Sequence, residues 1–383
     1  MKVYMDYAAT TPVDPRVFTA MKPYFTKKFG NTMSLHSIGR EAKEALEMSR
    51  KSIATMMNGE TNELIFTSSA TESTNMILKG IAFVNRKKRR HIIVSAIEHH
   101  CVLEPASWLE KQGFEITRLP VDKFGLVNPF EVEKAIKKDT LLVSIMHANN
   151  EIGTIQEIKK IGKICKEKGV YFHSDAAQSF GKIPIDVKQM NIDFLSISSH
   201  KMYGPKGVGG LYIKKGIKIA PLLHGGGHEL SKRASTVNVA GIVGFAEAVE
   251  IQKKEMGSDA KKQIILRDKI IKEVLKIEDS YLNGHIIKRL PNNTNFWFAF
   301  IEGESLLLQL DLNGISASTG SACSSDSLEA SHVLLSIGLK PQEAYGSLRL
   351  SLGKYTTNED VNYVLEILEK SVNRLKEISP LKK

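Results

Sequence analysis

The chain reads as an α/β protein, with a large domain built on a mainly parallel sheet flanked by helices and a smaller α+β domain beside it. Three observations predict this. From about residue 60 to 215, short apolar runs alternate with stretches of helical period. Strand, helix, strand repeated in this way needs crossover connections, which cover both faces of a parallel sheet. Past about residue 240 the pattern changes to one long charged helix and then a mixture of strands and helices, and 383 residues at 42% hydrophobic content suffice for two closely packed domains.

Taken in order, "ELIF", "HIIVSAI", "FEITRLP", "TLLVSIMHA", "VYFHSDAA" and "DFLSISS" read as strands. Between them "TESTNMILKGIAFVN", "CVLEPASWLEKQG" and "IKKIGKICKEKG" read as helices, the last ended by Gly169. Residues from about 242 to 277 form the long charged helix, and "NNTNFWFAFI" and "GSLRLSLG" supply strands of the second domain. At the end, Thr357 stands three positions before Asp360 in a capping-box pattern that starts a helix of amphipathic spacing. Repeats, low-complexity tracts and long linkers are absent from the sequence.

Composition narrows the function. Asp6 and Pro12 interrupt the opening "MKVYMDYAATTPVDPRV" where a signal peptide needs an apolar stretch, and runs such as "TLLVSIM" are far too short to span a bilayer, so a cytoplasmic protein without membrane contact is expected. The three cysteines, Cys101, Cys165 and Cys323, contain no CxxC and are odd in number, which argues against a disulfide framework or a cysteine-rich zinc site. The net charge of +11 includes the run "RKKRR" from Arg86 to Arg90. That run lacks interleaved aromatics and separates a helix-like from a strand-like segment, so a solvated turn is favoured over direct nucleic-acid binding. An acidic protein partner or an anionic ligand fits the charge equally well.

Strand ends carry the chemistry. In "SISSHKMYGPKGVGG" an apolar run gives way to Lys201, which is either a solvated charge or a desolvated amine able to attack a carbonyl. "FTSSATESTN" turns from strand to helix through small hydroxyl residues; Ala70 and Thr71 there suit a phosphate at the first turn, although Ser and Thr at a helix start are more often simple caps. Neither a Walker lysine motif nor GxGxxG occurs, so nucleotide binding has no support. His99 in "EHHCVLEP" reads alone as a loop histidine, and Asp175 in "HSDAAQSFG" as a cap or as the partner of a protonated ring nitrogen. Together they answer one requirement. A pyridoxal phosphate site needs a lysine for the aldehyde, an acid for the pyridine nitrogen, a flat ring above the cofactor and a phosphate cradle. Lys201, Asp175, His99 and Thr71 fill these roles, with Ser198, Ser199 and His200 beside the lysine as further cofactor-binding positions. Cys323 lies in "ASTGSACSSDS", a loop too polar to be core, which suits a nucleophilic thiol, whereas buried inert thiols account for Cys101 and Cys165.

In these residues, and in "DYAATTPVDPRV", "HANNEIGTIQ", "GGGHE", "STGSACSSDSLEASHVL" and "LRLSLGKYTT", the chain resembles the cysteine desulfurases of the NifS/IscS type, class-V aminotransferases of the fold type I pyridoxal phosphate enzymes. The resemblance covers essentially the whole sequence. It implies a large cofactor-binding domain over 15–257 and a small α+β domain from 1–14 and 258–383 carrying the cysteine loop. It makes Lys201 the residue joined to the aldehyde, His99 the stacking and proton-transferring residue, Asp175 the partner of the pyridine nitrogen and Gln178 that of the phenolic oxygen. Thr71, Ser198 and His200 would hold the phosphate, and Thr236 the phosphate of the other subunit of a homodimer. Asn150 and Arg349 would hold the carboxylate of L-cysteine, and Cys323 would take its sulfur as a persulfide, leaving L-alanine. An iron–sulfur scaffold or sulfur-carrier protein would accept that sulfur, with Gly320 and the flanking serines lending the loop mobility. Two stretches depart from the family pattern. Thr32-Met33 replaces Pro-Ser after Gly30-Asn31, which could alter a loop near the substrate entrance, and Ala234-Ser235 replaces Ser-Gly before Thr236, which removes a glycine from the turn that presents the threonine. The alternatives are a selenocysteine lyase or an aminotransferase of the same fold, for which Cys323 is the discriminating residue, and a non-catalytic partner-binding platform.

Overall fold

The structure is a computed structural model, and it describes residues 1–319 and 330–380. Val3–Tyr4 (β1) opens the chain, followed by Pro15–Met21 (α1), Pro23–Thr26 (α2) and Ser37–Met56 (α3). Asp14 caps α1 by accepting from the Arg16 amide, and Pro15 takes the first helical position, where no amide hydrogen is needed. The expected alternation then follows as Leu64–Thr67 (β2), Ala70–Asn85 (α4), His91–Ser95 (β3), His100–Lys111 (α5), Glu115–Leu119 (β4), Pro129–Ala135 (α6), Thr140–Ser144 (β5), Ile158–Lys168 (α7), Tyr171–Asp175 (β6), Phe194–Ser198 (β7) and Gly209–Ile213 (β8).

These strands form one sheet in the order β2-β8-β7-β6-β5-β3-β4. Neighbours pair in parallel except at β8, which runs antiparallel to both β2 and β7. The strands β3, β5 and β7 are buried throughout, as their apolar runs demand, and in β3 successive residues serve opposite cores. Ile92, Val94 and Leu142 pack beneath α4 and α5, while Ile93 and Val143 share a core with α7 and with the long helix that follows this sheet. Edge strand β4 is largely wet, which explains its polar "EITR". The reversal at β8 was not legible in the sequence. Only ten residues separate the end of β7 from its start, too few for a crossover helix.

Val239–Val274 (α8) is the long helix, and it serves two cores: Ile242, Phe245 and Val249 belong to the first, Leu266, Ile270 and Val274 to the second. After it come Ser280–Leu282 (β9), Asn293–Phe298 (β10), Gly303–Leu312 (α9), Ile315–Ser316 (β11), His332–Ser336 (α10), Pro341–Tyr345 (α11), Ser347–Ser351 (β12) and Asn358–Ile378 (α12). Strand β10 pairs antiparallel with β12 and β9, and β1 pairs parallel with β11. Val3 and Met5 thereby join the second core with Val361, Val364 and Leu368 of α12. Thr357 and Asp360 form the reciprocal cap at its start. A further cluster sets Ile97, Met146 and Ile152 against Val333, Leu334 and Ile337, where the segment after residue 330 meets the large sheet's loops. Among the described residues, no helix is long and apolar enough to cross a membrane.

Candidate active site

A cavity of about 460 Å3 opens where the carboxyl ends of β2, β6 and β7 meet the loops after β3 and β5. That edge is where ligands gather in a parallel sheet. Ala70, Thr71, His99, Asn150, Asp175, Gln178, Ser198, His200, Lys201 and Arg349, all singled out from sequence, line it.

Each is placed by the end of its element. Strand β7 ends at Ser198 and turns through a short 3-10 segment that delivers Lys201, whose Nζ donates to the carbonyls of Ala8 and Ala9 at 2.7 Å each. Strand β6 ends at Asp175; its Oδ1 accepts from the Ala177 amide at 2.8 Å and its Oδ2 from Cys101 Sγ at 3.4 Å. His99 caps α5, its Nδ1 accepting from the Cys101 amide at 3.1 Å. Burial holds this imidazole below its ordinary pKa against the opposing pull of Asp175, so the ring is neutral at neutral pH. With Nδ1 used as acceptor, the remaining proton is assigned to Nε2. Ser69, not Thr71, caps α4, accepting from Glu72 N at 3.1 Å. Ala70 and Thr71 therefore begin the helix and bring first-turn amides to the cavity, an arrangement that attracts a phosphate. His200 accompanies them with Nδ1 3.1 Å from Thr10 Oγ1, and burial lowers its pKa to about 4, with Lys201 adding to the shift. It offers the cavity a neutral ring.

Arg349, in the middle of β12, is 3% exposed. Its Nη1 donates to the Asn150 carbonyl at 3.0 Å and its Nη2 to Asp6 Oδ1 at 2.9 Å, while Nε is buried with no partner among the described residues. A buried guanidinium with an unused donor beside a cavity is suited to a carboxylate. Asn150 also lines the cavity, and its backbone helps hold the arginine. Gln178 Nε2 donates to the Ala8 carbonyl at 2.9 Å. The donor set fits pyridoxal phosphate: an amine, a carboxylate, a flat neutral ring and helix-start amides share one enclosure.

Three sequence-derived positions stand apart. Ser199 does not line the cavity; it is fully buried, and its hydroxyl packs against Gly204 on the far side of the turn. Thr236 is exposed and lies outside this chain's cavity. Cys323, with Gly320, lies outside the described residues. Thr32 is buried and Met33 is 61% exposed, but neither lines the cavity. Ser235, at the missing glycine, keeps φ at 102°, a region that glycine favours.

The sequence reading missed Ala8 and Ala9, whose carbonyls hold Lys201, because backbone groups carry no side-chain signature. It also set Cys101 aside. That thiol is buried as expected, its pKa raised well above the ordinary value by burial and by Asp175, yet it lines the cavity against the carboxylate. His332 was overlooked too. Its Nε2 lies 2.9 Å from the Glu98 carbonyl, and its ring meets His100 edge-on at 4.9 Å. The basic run Arg86 to Arg90 is exposed between α4 and β3, at the sheet edge opposite the site.

The family model described as "Aminotransferase class-V" matches residues 3–364. The chain is 56% identical over 382 residues to "Cysteine desulfurase IscS" of Dictyoglomus turgidum, covering 100% of this chain and 97% of that one. It is 55% identical to the protein of the same name from Methanosarcina thermophila, covering 99% and 94%. Among solved structures, a "NIFS-LIKE PROTEIN" superposes with a TM-score of 0.93 at 41% identity, covering 98% of this chain and 100% of that one. "SspA in complex with cysteine" superposes at 0.84 with 39% identity, over 93% of this chain and 100% of that one. Sequence identity at this level over the full length, joined to the same fold, places the chain in the class-V aminotransferase family and, within it, among the cysteine desulfurases of the NifS/IscS type.

Proposed function

We propose that the protein removes sulfur from L-cysteine with pyridoxal phosphate held by this cavity, giving L-alanine and a persulfide on Cys323. The observation that carries the reading is the enclosure shared by Lys201, Asp175 and the buried Arg349, whose Nε has no partner among the described residues. Bound there, pyridoxal phosphate supplies an aldehyde for the substrate amine and a ring that withdraws electrons from the Cα–H bond. Arg349, backed by Asp6 and Asn150, holds the substrate carboxylate. Lys201 takes the proton from Cα, and Asp175 keeps the ring nitrogen protonated. His99 stacks on the ring, with Nε2–H available for proton transfer at the sulfur side. Gln178 serves the phenolic oxygen. Ala70, Thr71, Ser198 and His200 cradle the phosphate, joined by Thr236 from the other subunit of a homodimer. The Cys323 thiolate attacks the substrate sulfur, the Cβ–S bond breaks, and the new S–S bond retains the sulfur on the enzyme.

An iron–sulfur scaffold or sulfur-carrier protein would receive it, in the cytoplasm, whose reducing poise suits thiol-to-thiol transfer. The test is mass spectrometry of the purified holoenzyme after incubation with L-cysteine. Cys323 is expected to gain one sulfur atom, and Cys323→Ala to lose alanine and sulfide production while remaining yellow. Undiminished desulfuration by Cys323→Ala would remove the persulfide step, and a colourless protein that takes up no added pyridoxal phosphate would remove the enzyme reading altogether.

A further inference from the structure

Beneath the candidate site, Gly181 turns the chain at φ +78°, under Met202, and delivers Lys182. Its Nζ lies 3.3 Å from Gln178 Oε1, one helical turn back in sequence. The residue as a whole is half-buried but its ammonium is enclosed, in a small secondary cavity that it shares with Lys201, Tyr7, Tyr203 and Asp259. The titratable groups around it are Lys201 and Arg349, whose charges act on it, His200, on which it acts in turn, and Asp259, Tyr7 and Tyr203 of the shared cavity. Burial, together with the charges of Lys201 and Arg349, pushes its pKa down to about 7. Nothing in the proposed reaction yet uses this second amine.

The hydrogen bonds around Gln178 give it a use. An amide side chain has two faces of opposite polarity, and both are fixed here: Oε1 points at the Lys182 ammonium, and Nε2 at the Ala8 carbonyl, which also accepts from Lys201. Were the amide flipped, its NH2 would face an ammonium and its oxygen a carbonyl. Lys182 and the Ala8 carbonyl thus favour the same orientation of the Gln178 amide, one from each end.

We propose that Lys182 is a positioning residue: it locks the Gln178 amide with its donor end toward the cofactor's phenolic oxygen and adds a positive charge beneath Lys201 that favours the deprotonated form of the linked nitrogen. The inference rests on the proposed cofactor reading. While the linked nitrogen is deprotonated, the charge at position 201 that acidifies Lys182 is absent, which favours protonated Lys182 in that form.

The experiment is a pH titration of the visible absorption of the holoenzyme and of Lys182→Gln, Lys182→Met and Lys182→Arg, with bound pyridoxal phosphate quantified for each. Loss of the charge is expected to move the midpoint upward by about one pH unit in the Gln and Met variants, while Arg restores it to near the parent value. KM for cysteine is expected to change less than kcat, because Arg349 and not Lys182 meets the substrate carboxylate. A midpoint unchanged in folded, fully loaded Gln or Met variants would overturn the proposal and leave the cofactor reading intact. So would variants that fold only with arginine at 182 and yet titrate at a midpoint different from the parent, since the charge would then serve the fold alone. Failure of the parent protein to bind pyridoxal phosphate would instead overturn the reading on which the proposal rests.

Discussion

Glu98 is fully buried directly before His99, with Oε1 accepting from Ser95 Oγ and the Met146 amide and Oε2 without a partner among the described residues. Burial raises its pKa to about 8, so it is protonated at neutral pH. Because the folded value lies above the unfolded one, the folded state binds the extra proton. Stability must then fall as pH rises from about 4.5 toward 8, by on the order of 1.4 kcal/mol for each pH unit crossed. Glu98→Gln preserves the shape and removes the titration, so Tm measured from about pH 5 to 9 should decline less in the variant than in the parent; parallel curves would refute the assignment. Ser235 offers a second test at this scale. Its φ of 102° strains a residue with a Cβ, so Ser235→Gly is expected to stabilise by about 1 kcal/mol, read as a rise in Tm, and an unchanged or lower Tm would show the turn to be relaxed. The sequence showed that a glycine was missing there. That the backbone keeps a glycine-like φ without the glycine is visible only in the structure.

At the scale of elements, the cavity depends on two strand ends meeting a helix start. Gly209, the first residue of β8, has no room for a side chain: a Cβ there would lie 2.6 Å from the Ser69 backbone and 2.9 Å from the Ile197 carbonyl. The loop into α4 is therefore pressed against β8, which fixes where the amides of Ala70 and Thr71 point. Gly209→Ala should displace that turn, costing about 1–3 kcal/mol of stability and weakening pyridoxal phosphate binding by tenfold or more, measured by equilibrium dialysis and thermal melts. Binding as tight as in the parent would show that the turn does not position the cradle. Periodicity in the sequence identified both β7 and α4, because buried strands and amphipathic helices have distinct repeats. It did not show that β8 reverses direction to lie between β2 and β7, since pairing is chosen by connection length and by partners far away in sequence.

For the molecule as a whole, α8 runs through both cores, and a buried ion pair reinforces the junction. Lys354, just after β12, meets Asp14, the cap of α1, and Lys354 also sits over the Tyr203 and Tyr355 rings at 4.7 and 5.2 Å. The hydrogen bond from Arg16, helped by Lys354 and opposed by burial, holds the Asp14 carboxyl well below the usual carboxylate range. A depressed value contributes stability above the unfolded pKa, and that contribution fades as the pH falls through the folded one. Asp14→Asn should therefore lose on the order of 3 kcal/mol at neutral pH, because Lys354 stays buried with a weakened partner, and the gap from the parent should narrow under acid. A constant gap between pH 7 and about pH 2 in denaturant melts would show that the charge is not what holds the junction. On the outside, Phe25, Phe29, Met33 and Leu35 are each more than 60% exposed on one stretch of chain, an apolar surface that supports the proposed homodimer. Sedimentation should give twice the 42.5 kDa chain mass at micromolar concentration, and a monomer there would remove Thr236 from the neighbouring site.

What the amino-acid sequence determined by itself was local and chemical: the strand and helix periods, the caps at Thr357 and Gly169, and the residue types that pyridoxal phosphate chemistry requires. These are legible because hydrophobic spacing and side-chain reactivity belong to neighbouring residues. Only the tertiary structure decided which backbone carbonyls hold Lys201, that Ser199 is buried outside the cavity lining while Ser198 lines it, that Cys101 rests on Asp175, and that Arg349 keeps one donor without a partner among the described residues. Those facts depend on groups up to several hundred positions apart being brought within hydrogen-bond range, and on burial, which sets both the cost of an unpaired polar atom and the proton affinity of a charged one.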